Sequence, residues 1–275
     1  MSNFSVGTRI VTQSLATLRA RFSARRHTAL LMAIVSAFAA RPLMGDGEIV
    51  LLVFSVLMLV LMLVALYTIQ VDDLVGEREV LLAQRRRRSI VGWMLAVPAA
   101  IERLYVILVP SSRLFVVSSI CWLLFFAFVT WSQVRSLLKQ KEVTGEVIAM
   151  SISVYLLLGL TWGMVYIAIF QLHPEAFSFG AVPTPTPALS PDQQQIFPIL
   201  IYFSLTTLST LGFGDILPLT LPARYAAVAE GITGQFYLAI MVARLVGMQM
   251  AQSVAQGTGN HPRGRDTEDS VDRGR

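Results

Sequence analysis

Residues 206–215 read Thr-Thr-Leu-Ser-Thr-Leu-Gly-Phe-Gly-Asp, and they connect two apolar segments of different length. The segment that leads into them, Ile196 to Leu208, is too short to cross a bilayer, whereas the segment after them, Ala223 to Met250, is long enough. Successive carbonyls of an ordinary strand point to opposite sides, so a line of carbonyls facing one axis needs left-handed backbone angles. Gly212 and Gly214 supply that freedom. The stretch therefore predicts a half-span helix, a loop whose glycines allow left-handed backbone angles, and a spanning helix.

The composition of the whole chain agrees with a membrane protein. Of its 275 residues, 55% are hydrophobic and 14% are charged, and the mean hydropathy is +0.63. The charges lie in short blocks between long apolar runs, which is typical of a polytopic membrane protein. The single cysteine, Cys121, excludes an internal disulfide framework, and the three histidines lie too far apart in sequence to indicate a metal site.

Six apolar segments are predicted to form spanning helices, because a helix of roughly 20 apolar residues crosses a bilayer. They are 27–43, Ile49–Ile69, Ile90–Val109, Phe115–Val134, Val147–Phe170 and Ala223–Met250. The apolar core of the first segment covers only Leu30 to Ala40, so a re-entrant hairpin is the alternative there. The third segment holds Glu102 and Arg103. In the fifth, Trp162 and Tyr166 suit an interfacial belt.

The distribution of basic residues predicts the orientation. Seventeen of the 22 Lys and Arg fall on one side of the predicted spans. The positive-inside rule then makes both termini cytoplasmic and turns Asp215 outward. The run of Arg85, Arg86, Arg87 and Arg88 is interpreted as a topology signal that contacts anionic lipid, not as a nucleic-acid site.

Residues 210–215, Thr-Leu-Gly-Phe-Gly-Asp, resemble the selectivity filter of the potassium channel pore-loop superfamily. The resemblance covers about 147–250: an outer helix (147–170), an external loop (171–195), a pore helix (196–208), the filter (210–215) and an inner helix (223–250). It implies an all-α membrane protein with six transmembrane helices and a re-entrant pore helix and filter loop between the last two. The remaining parts are a basic arm (1–27), a four-helix region (28–134), a linker (135–146) and a polar tail (251–275) predicted to be disordered. Because no arginine ladder occurs in the first four spans, the sequence resembles a bacterial channel without a voltage sensor.

The resemblance also implies the chemistry of the loop. Backbone carbonyls replace the hydration shell of a potassium ion in this family. The ion would be bound by the carbonyls of Thr210, Leu211, Gly212 and Phe213, with Gly214 completing the filter and Asp215 at its outer mouth. One chain supplies one loop, so the resemblance implies a homotetramer that needs no cofactor and lies in the bacterial inner membrane. Phe213 stands where tyrosine is commoner, and the missing hydroxyl predicts a less rigid filter.

Two further departures from the family pattern lie before the filter, and several candidate residues lie after it. Thr206 stands where some bacterial channels place a carboxylate, and Tyr202 and Phe203 stand where many place tryptophans. Gly234 matches the hinge glycine of the family and Gly231 competes with it, although close helix packing explains either glycine equally well. Glu230 is interpreted either as a cation-attracting or pH-sensitive group, or as a partner of pore-helix hydroxyls such as those of Thr206 and Thr207. A possible cavity-lining face with an apolar gate consists of Gln235, Leu238, Val242 and Val246.

The sequence thus predicts a potassium-selective, passive channel without strong voltage dependence. A poorly selective monovalent cation channel is the alternative, and a non-conducting transporter or scaffold subunit is a more distant one. Paired broken helices, which are typical of transporters, are absent from the sequence pattern. An enzyme is disfavoured because no nucleophile and base, and no metal-ligand set, fall at one membrane face.

Overall fold

A computed structural model describes residues 25–44, 48–75, 89–101, 115–140, 142–180 and 193–259. Seven helices and one short pair of strands occur in these ranges. They are α1 (Arg26–Met44), α2 (Glu48–Val75), α3 (Ser89–Ile101), α4 (Phe115–Leu137), α5 (Gly145–Leu172), β1 (Phe177–Ser178), α6 (Gln193–Leu208), β2 (Leu217–Pro218) and α7 (Leu221–Gly259). The predicted lipid contact at Arg85–Arg88, the charged residues Glu102 and Arg103, and most of the N-terminal arm lie outside the described residues.

Four helices are long and apolar enough to cross a membrane within the described part of the chain: Leu52–Gln70 in α2, Ser119–Leu137 in α4, Gly145–Leu172 in α5 and Leu221–Val254 in α7. Helices suit such sequences because the backbone polar groups find no water inside a bilayer and must bond to each other. The shorter apolar helices are Arg26–Ala40, Ser89–Ile101 and Ile196–Leu208.

Two expectations about irregular segments need correction. The tail predicted to be disordered from residue 251 is helical up to Gly259, because residues 251–259 contain no proline and extend a helix that already exists. The external loop predicted from residue 171 begins later, since α5 runs to Leu172. Its first part is ordered as a 3-10 turn, Pro174–Ala176, followed by β1. The loop's proline-rich part, 181–192, lies outside the described residues.

Helix α5 is the hub of the fold, because it packs against α1, α4, α6 and α7. Two glycines on α5 allow α6 to approach closely. A Cβ atom on Gly159 would lie 2.7 Å from Leu205 Cδ2, and one on Gly163 would lie 2.3 Å from Ile201 Cδ1. Such small-residue contacts let helix backbones come together where lipid offers no hydrophobic driving force.

A buried aromatic cluster completes this packing on the other side of α6. The Tyr166 ring of α5 meets the Phe203 ring of α6 at 4.9 Å between centroids, and Phe177 of β1 packs edge-on against both at 5.8 and 5.6 Å. Tyr166 is fully buried, so its predicted place in an interfacial belt is wrong. Its hydroxyl finds a protein partner instead, as described below.

The N-terminal ends of α1 and α5 meet. Glu146, in the first turn of α5, accepts hydrogen bonds from the backbone N–H groups of His27 and Thr28 at 3.0 and 3.3 Å and from the Thr28 hydroxyl. A carboxylate at this place caps the first turn of α1 and interacts favourably with its dipole. The two helices therefore start at the same level of the molecule.

Candidate functional site

The loop after α6 is held by the carboxyl end of that helix. The N–H groups of Leu211 and Gly212 both point to the Thr206 carbonyl, at 2.8 and 3.2 Å, and the Thr210 N–H donates to the Thr207 carbonyl at 3.0 Å. These bonds satisfy carbonyls that a helix end otherwise leaves without partners. The first half of the 210–215 loop is thus fixed in direction by the pore helix.

Left-handed backbone angles recur at every second residue of this loop. The φ angles are +59° at Thr210, +50° at Gly212 and +79° at Gly214, while Leu211 and Phe213 have ordinary negative values. Among the described residues, the only other positive φ is at Gly180. A Cβ atom on Gly212 or Gly214 would meet nothing within 4 Å, so the backbone angle and not space explains glycine at these positions.

The outer end of the loop is tied to α6 by two contacts. The Tyr202 hydroxyl donates to Asp215 Oδ2 at 2.9 Å. The Tyr202 ring also stacks on the Phe213 ring, with centroids 6.4 Å apart and an angle of 2° between the planes. The pore helix thus places a tyrosine hydroxyl beside Phe213, which has none of its own. The prediction of a less rigid filter considered Phe213 alone and did not include this contact.

The chain after the loop is anchored to the turn that follows α5. β1 pairs with β2 in antiparallel fashion, with Phe177 opposite Pro218, and the Leu219 N–H donates to the Ala176 carbonyl at 2.8 Å. Gly180 lies against the Asp215 carbonyl, since a Cβ atom there would be 2.9 Å from this oxygen. Both ends of the loop are therefore fixed, one by α6 and one by this strand pair.

Glu230 lies completely buried where α5, α6 and α7 meet. The Tyr166 hydroxyl of α5 donates to its Oε2 atom at 2.5 Å, and the Ser204 hydroxyl of α6 donates to its Oε1 atom at 2.5 Å. The expected kind of partner, a pore-helix hydroxyl, is present, but it belongs to Ser204. The hydroxyls of Thr206 and Thr207 both donate to the Phe203 carbonyl of their own helix instead.

The two candidate hinge glycines have different surroundings. A Cβ atom on Gly234 would lie 2.5 Å from the Leu208 carbonyl at the end of α6, whereas one on Gly231 would meet only the Thr207 carbonyl at 4.0 Å. The Leu208 carbonyl also accepts a hydrogen bond from the Tyr155 hydroxyl of α5 at 3.2 Å. Gly234 thus allows the end of the pore helix to pack directly against α7, whereas a side chain at Gly231 would not obstruct this contact.

Comparison with known proteins agrees with this arrangement. A family model described as an ion channel matches residues 154–250, from α5 to α7. The potassium channel protein kcv of Paramecium bursaria Chlorella virus 1 is 34% identical over 70 residues, which cover 25% of this chain and 67% of the viral protein. The chain belongs to the potassium channel pore-loop superfamily. No solved structure matches it. The protein is therefore an ion channel and not an enzyme, and its apolar helices make it a multi-pass membrane protein.

In this channel, the predicted cavity-lining face of α7 is not covered by any of the described residues. The residues of that face are Gln235, Leu238, Val242 and Val246, and all four are exposed. Other apolar residues of α7, among them Ile232 and Phe236, are exposed as well. The exposed apolar surface of α7 therefore extends beyond the predicted cavity-lining face.

The second half of α7 holds a contact that the sequence did not indicate. Arg244 of α7 donates to the carbonyls of Leu137, Leu138 and Gln140 at 2.6, 2.9 and 2.7 Å. These carbonyls follow the last turn of α4, where a cation is favourable. The inner helix is thus clamped to the end of the fourth helix.

Sequence reasoning missed the partners of several polar side chains in these helices: those of Tyr155, Tyr166, Tyr202, Ser204 and Arg244. Their common signal is a polar group inside an apolar helix, which needs a partner in a membrane. That signal shows that a partner exists but does not identify it. The identification requires the relative position of three helices.

Proposed function

We propose that the protein is a subunit of a potassium-selective channel that conducts passively through a homotetrameric pore. The observation that carries the proposal is the alternation of left-handed and ordinary backbone angles at 210–214, directly after a half-span helix. Alternation of this kind turns successive carbonyls toward one side, which a plain strand does not do. The carbonyls of Thr210, Leu211, Gly212 and Phe213 are the proposed ion ligands.

The proposed chemistry is an exchange of water for carbonyl oxygens. A potassium ion loses its hydration shell on entering, and rings of carbonyls offset the cost of that loss. Asp215 is exposed at the outer end of the loop, where its negative charge raises the local cation concentration. The pore is lined by backbone oxygens, so no resident cofactor takes part in the proposal.

Exposure of the inner helix supports the proposed tetramer. Only 17% of the apolar window of α7 is buried within the chain, against 50% for α5 and 44% for α4. Copies of α7 from several subunits, packed around the axis of the pore, would cover this apolar surface. One loop per chain then requires four chains for a closed ring of carbonyls.

The proposed topology has six spans with both termini cytoplasmic. It rests on the excess of Lys and Arg on one side and on the bond of Glu146 to the first turn of α1, which makes α1 and α5 start at one level. Strong voltage dependence is not part of the proposal, because Arg135 in the last turn is the only Lys or Arg in α4.

The proposal is tested by reversal potentials of purified protein in planar bilayers with mixed potassium and sodium. We expect a reversal potential close to the potassium equilibrium potential. Equal permeabilities for potassium and sodium would instead indicate a poorly selective cation channel. We expect Gly212→Ala to lower potassium flux at least tenfold, because alanine at a φ of +50° costs roughly 1–2 kcal/mol in each subunit. Gly145→Ala is the matched control, since a Cβ atom there also meets nothing within 4 Å and the residue starts a helix.

The copy number is tested separately by native mass spectrometry of the protein in mild detergent. We expect four copies of the 30.3 kDa chain in one particle. A monomer or dimer that still conducts potassium would contradict the proposed ring.

A further inference from the structure

A cavity of about 320 Å³ lies behind the pore helix, on the side away from α7. Its walls come from α1, α2, α5 and α6, with Ala37 on α1, Met58 on α2, Leu160 on α5 and Ile201 on α6 among them. These four residues are buried, and the cavity is only partly closed. Its volume falls within the range of about 300–1,000 Å³ that small-molecule sites have.

The lining excludes a polar occupant. Among the lining residues that the structure describes, only Tyr202 has a polar side chain, and its hydroxyl already donates to Asp215. Water needs two to four polar partners and finds none on these walls, so the cavity is dry or holds an apolar molecule. None of the described lining residues carries a charge that would bind a headgroup or an ion.

The depth of the cavity identifies the apolar molecules that reach it. Leu160 is near the middle of the 28-residue α5, and Ala37 is in the second half of the 19-residue α1. At 1.5 Å per residue, Leu160 lies about 22 Å from the start of α5, which is well inside a hydrocarbon core of about 30 Å. Lipid acyl chains are the apolar molecules present in excess at that depth.

We propose that one acyl chain of a membrane phospholipid occupies this cavity and acts as a spacer between the pore helix and α1 and α2. The chain would contact Ile201 and Tyr202 on α6, and the Tyr202 ring stacks on Phe213 of the filter. Occupancy therefore supports the side of the pore helix that holds the filter. The binding itself rests only on the membrane location of the chain and not on potassium selectivity.

The test replaces Met58 by a diazirine amino acid of similar size in the full chain, reconstituted in liposomes that contain phospholipid as the only other component. We expect a phospholipid adduct at position 58 after illumination, although Met58 is only 4% exposed. The same probe at Met32, which is 63% exposed, is the control and measures labelling by the lipid that surrounds the protein. A crosslink from position 58 to a second copy, or no lipid adduct there while position 32 is labelled, would overturn the proposal.

A filling variant shows whether the adduct forms inside the cavity. We expect Ala37→Phe to reduce the lipid adduct at position 58 at least fivefold, because the ring takes the place of the chain. Val35→Phe on the exposed face of α1 is the control and should change it less than twofold. Ala37→Leu, a smaller filling change, replaces the first variant if that variant does not assemble. An adduct that is unchanged by filling would place the lipid elsewhere and overturn the assignment. All of these readouts are independent of conduction, so failure of the proposed selectivity leaves them interpretable.

Discussion

Individual hydroxyl groups connect the helices around the 210–215 loop and hold the loop itself. Tyr202 reaches Asp215, Tyr155 reaches the Leu208 carbonyl, and Tyr166 reaches Glu230. The first two bonds join α6 to the 210–215 loop and to α5, and the third joins α5 to α7. Each donor lies in an apolar helix, where a hydroxyl needs a partner. Replacing a single oxygen atom therefore tests how far the filter depends on its surroundings.

We expect Tyr202→Phe to weaken the outer end of the filter without removing its stacking on Phe213. The lost hydrogen bond to a carboxylate lowers stability only modestly, because the pair is exposed in the chain. Thermal melting of the reconstituted channel in potassium should show a lower Tm, and currents should decline faster during sustained conduction. Tyr225→Phe is the control, since Tyr225 is 72% exposed at the start of α7. If both variants melt like the parent, the Tyr202–Asp215 bond carries no stability.

At the scale of elements, the pore helix is held from two sides by glycines. Gly159 and Gly163 of α5 admit its side chains, and Gly234 of α7 admits its last carbonyl. The buried Glu230 then joins α7 to the other two helices through Ser204 and Tyr166. The pore helix thus has little freedom to shift unless the inner helix moves with it.

The two inner-helix glycines should respond in opposite ways to alanine. We expect Gly234→Ala to destabilise the channel by about 1–3 kcal/mol, because a Cβ atom 2.5 Å from the Leu208 carbonyl forces the helices apart. Gly231→Ala should be neutral or slightly stabilising, since it removes unfolded-state entropy and meets nothing closer than 4.0 Å. Thermal melting and potassium flux of the two variants provide the comparison. Equal loss of stability in both would show that Gly234 has no special packing role.

At the scale of the whole molecule, the peripheral helices are connected to the pore at its inner end. Arg244 clamps α7 to the end of α4, and Glu146 caps α1 from the start of α5. A small apolar cluster around Met241, Leu137 and Met150 lies beside the Arg244 contact. Movement of the inner helix therefore has to break or carry along the end of α4.

We expect Arg244→Gln to alter the open probability and to lower Tm by several degrees, because an amide cannot bond three carbonyls at once. Single-channel recording and thermal melting measure the two effects. Arg224→Gln near the start of the same helix is the control, since the Arg224 side chain donates to one carbonyl, that of Pro218, in an exposed hydrogen bond. Equal effects of the two variants would contradict a specific role of the inner clamp.

Much of the pore region follows from local sequence. The half-span before the filter, the alternating glycines and the long apolar run after them are patterns along one chain, and the helices α5, α6 and α7 occur where these patterns predicted them. Their ends differ by a few residues, and α7 continues nine residues past its predicted end at Met250. Helix ends are set by weak local preferences, so apolar length alone locates them poorly.

Partners across helices could not be predicted in the same way. Glu230 was expected to bond Thr206 or Thr207, but these hydroxyls turn back to their own helix, and Ser204 faces Glu230 instead. The choice depends on the rotation of α6 about its axis. Because nearly every position on these helices is apolar, hydropathy does not define that rotation.

The sequence by itself determined that this chain is a helical membrane protein with a half-span helix, a glycine-containing loop and a long apolar helix after it, since apolar length and glycine spacing are local properties. Only the tertiary structure decided that Tyr202 supports the filter, that Gly234 seats the pore helix and that Arg244 holds the end of α4. These contacts join residues 13 to 107 positions apart in the chain. Their formation depends on how packed helices orient their side chains, and the order of residues in one segment does not contain that information.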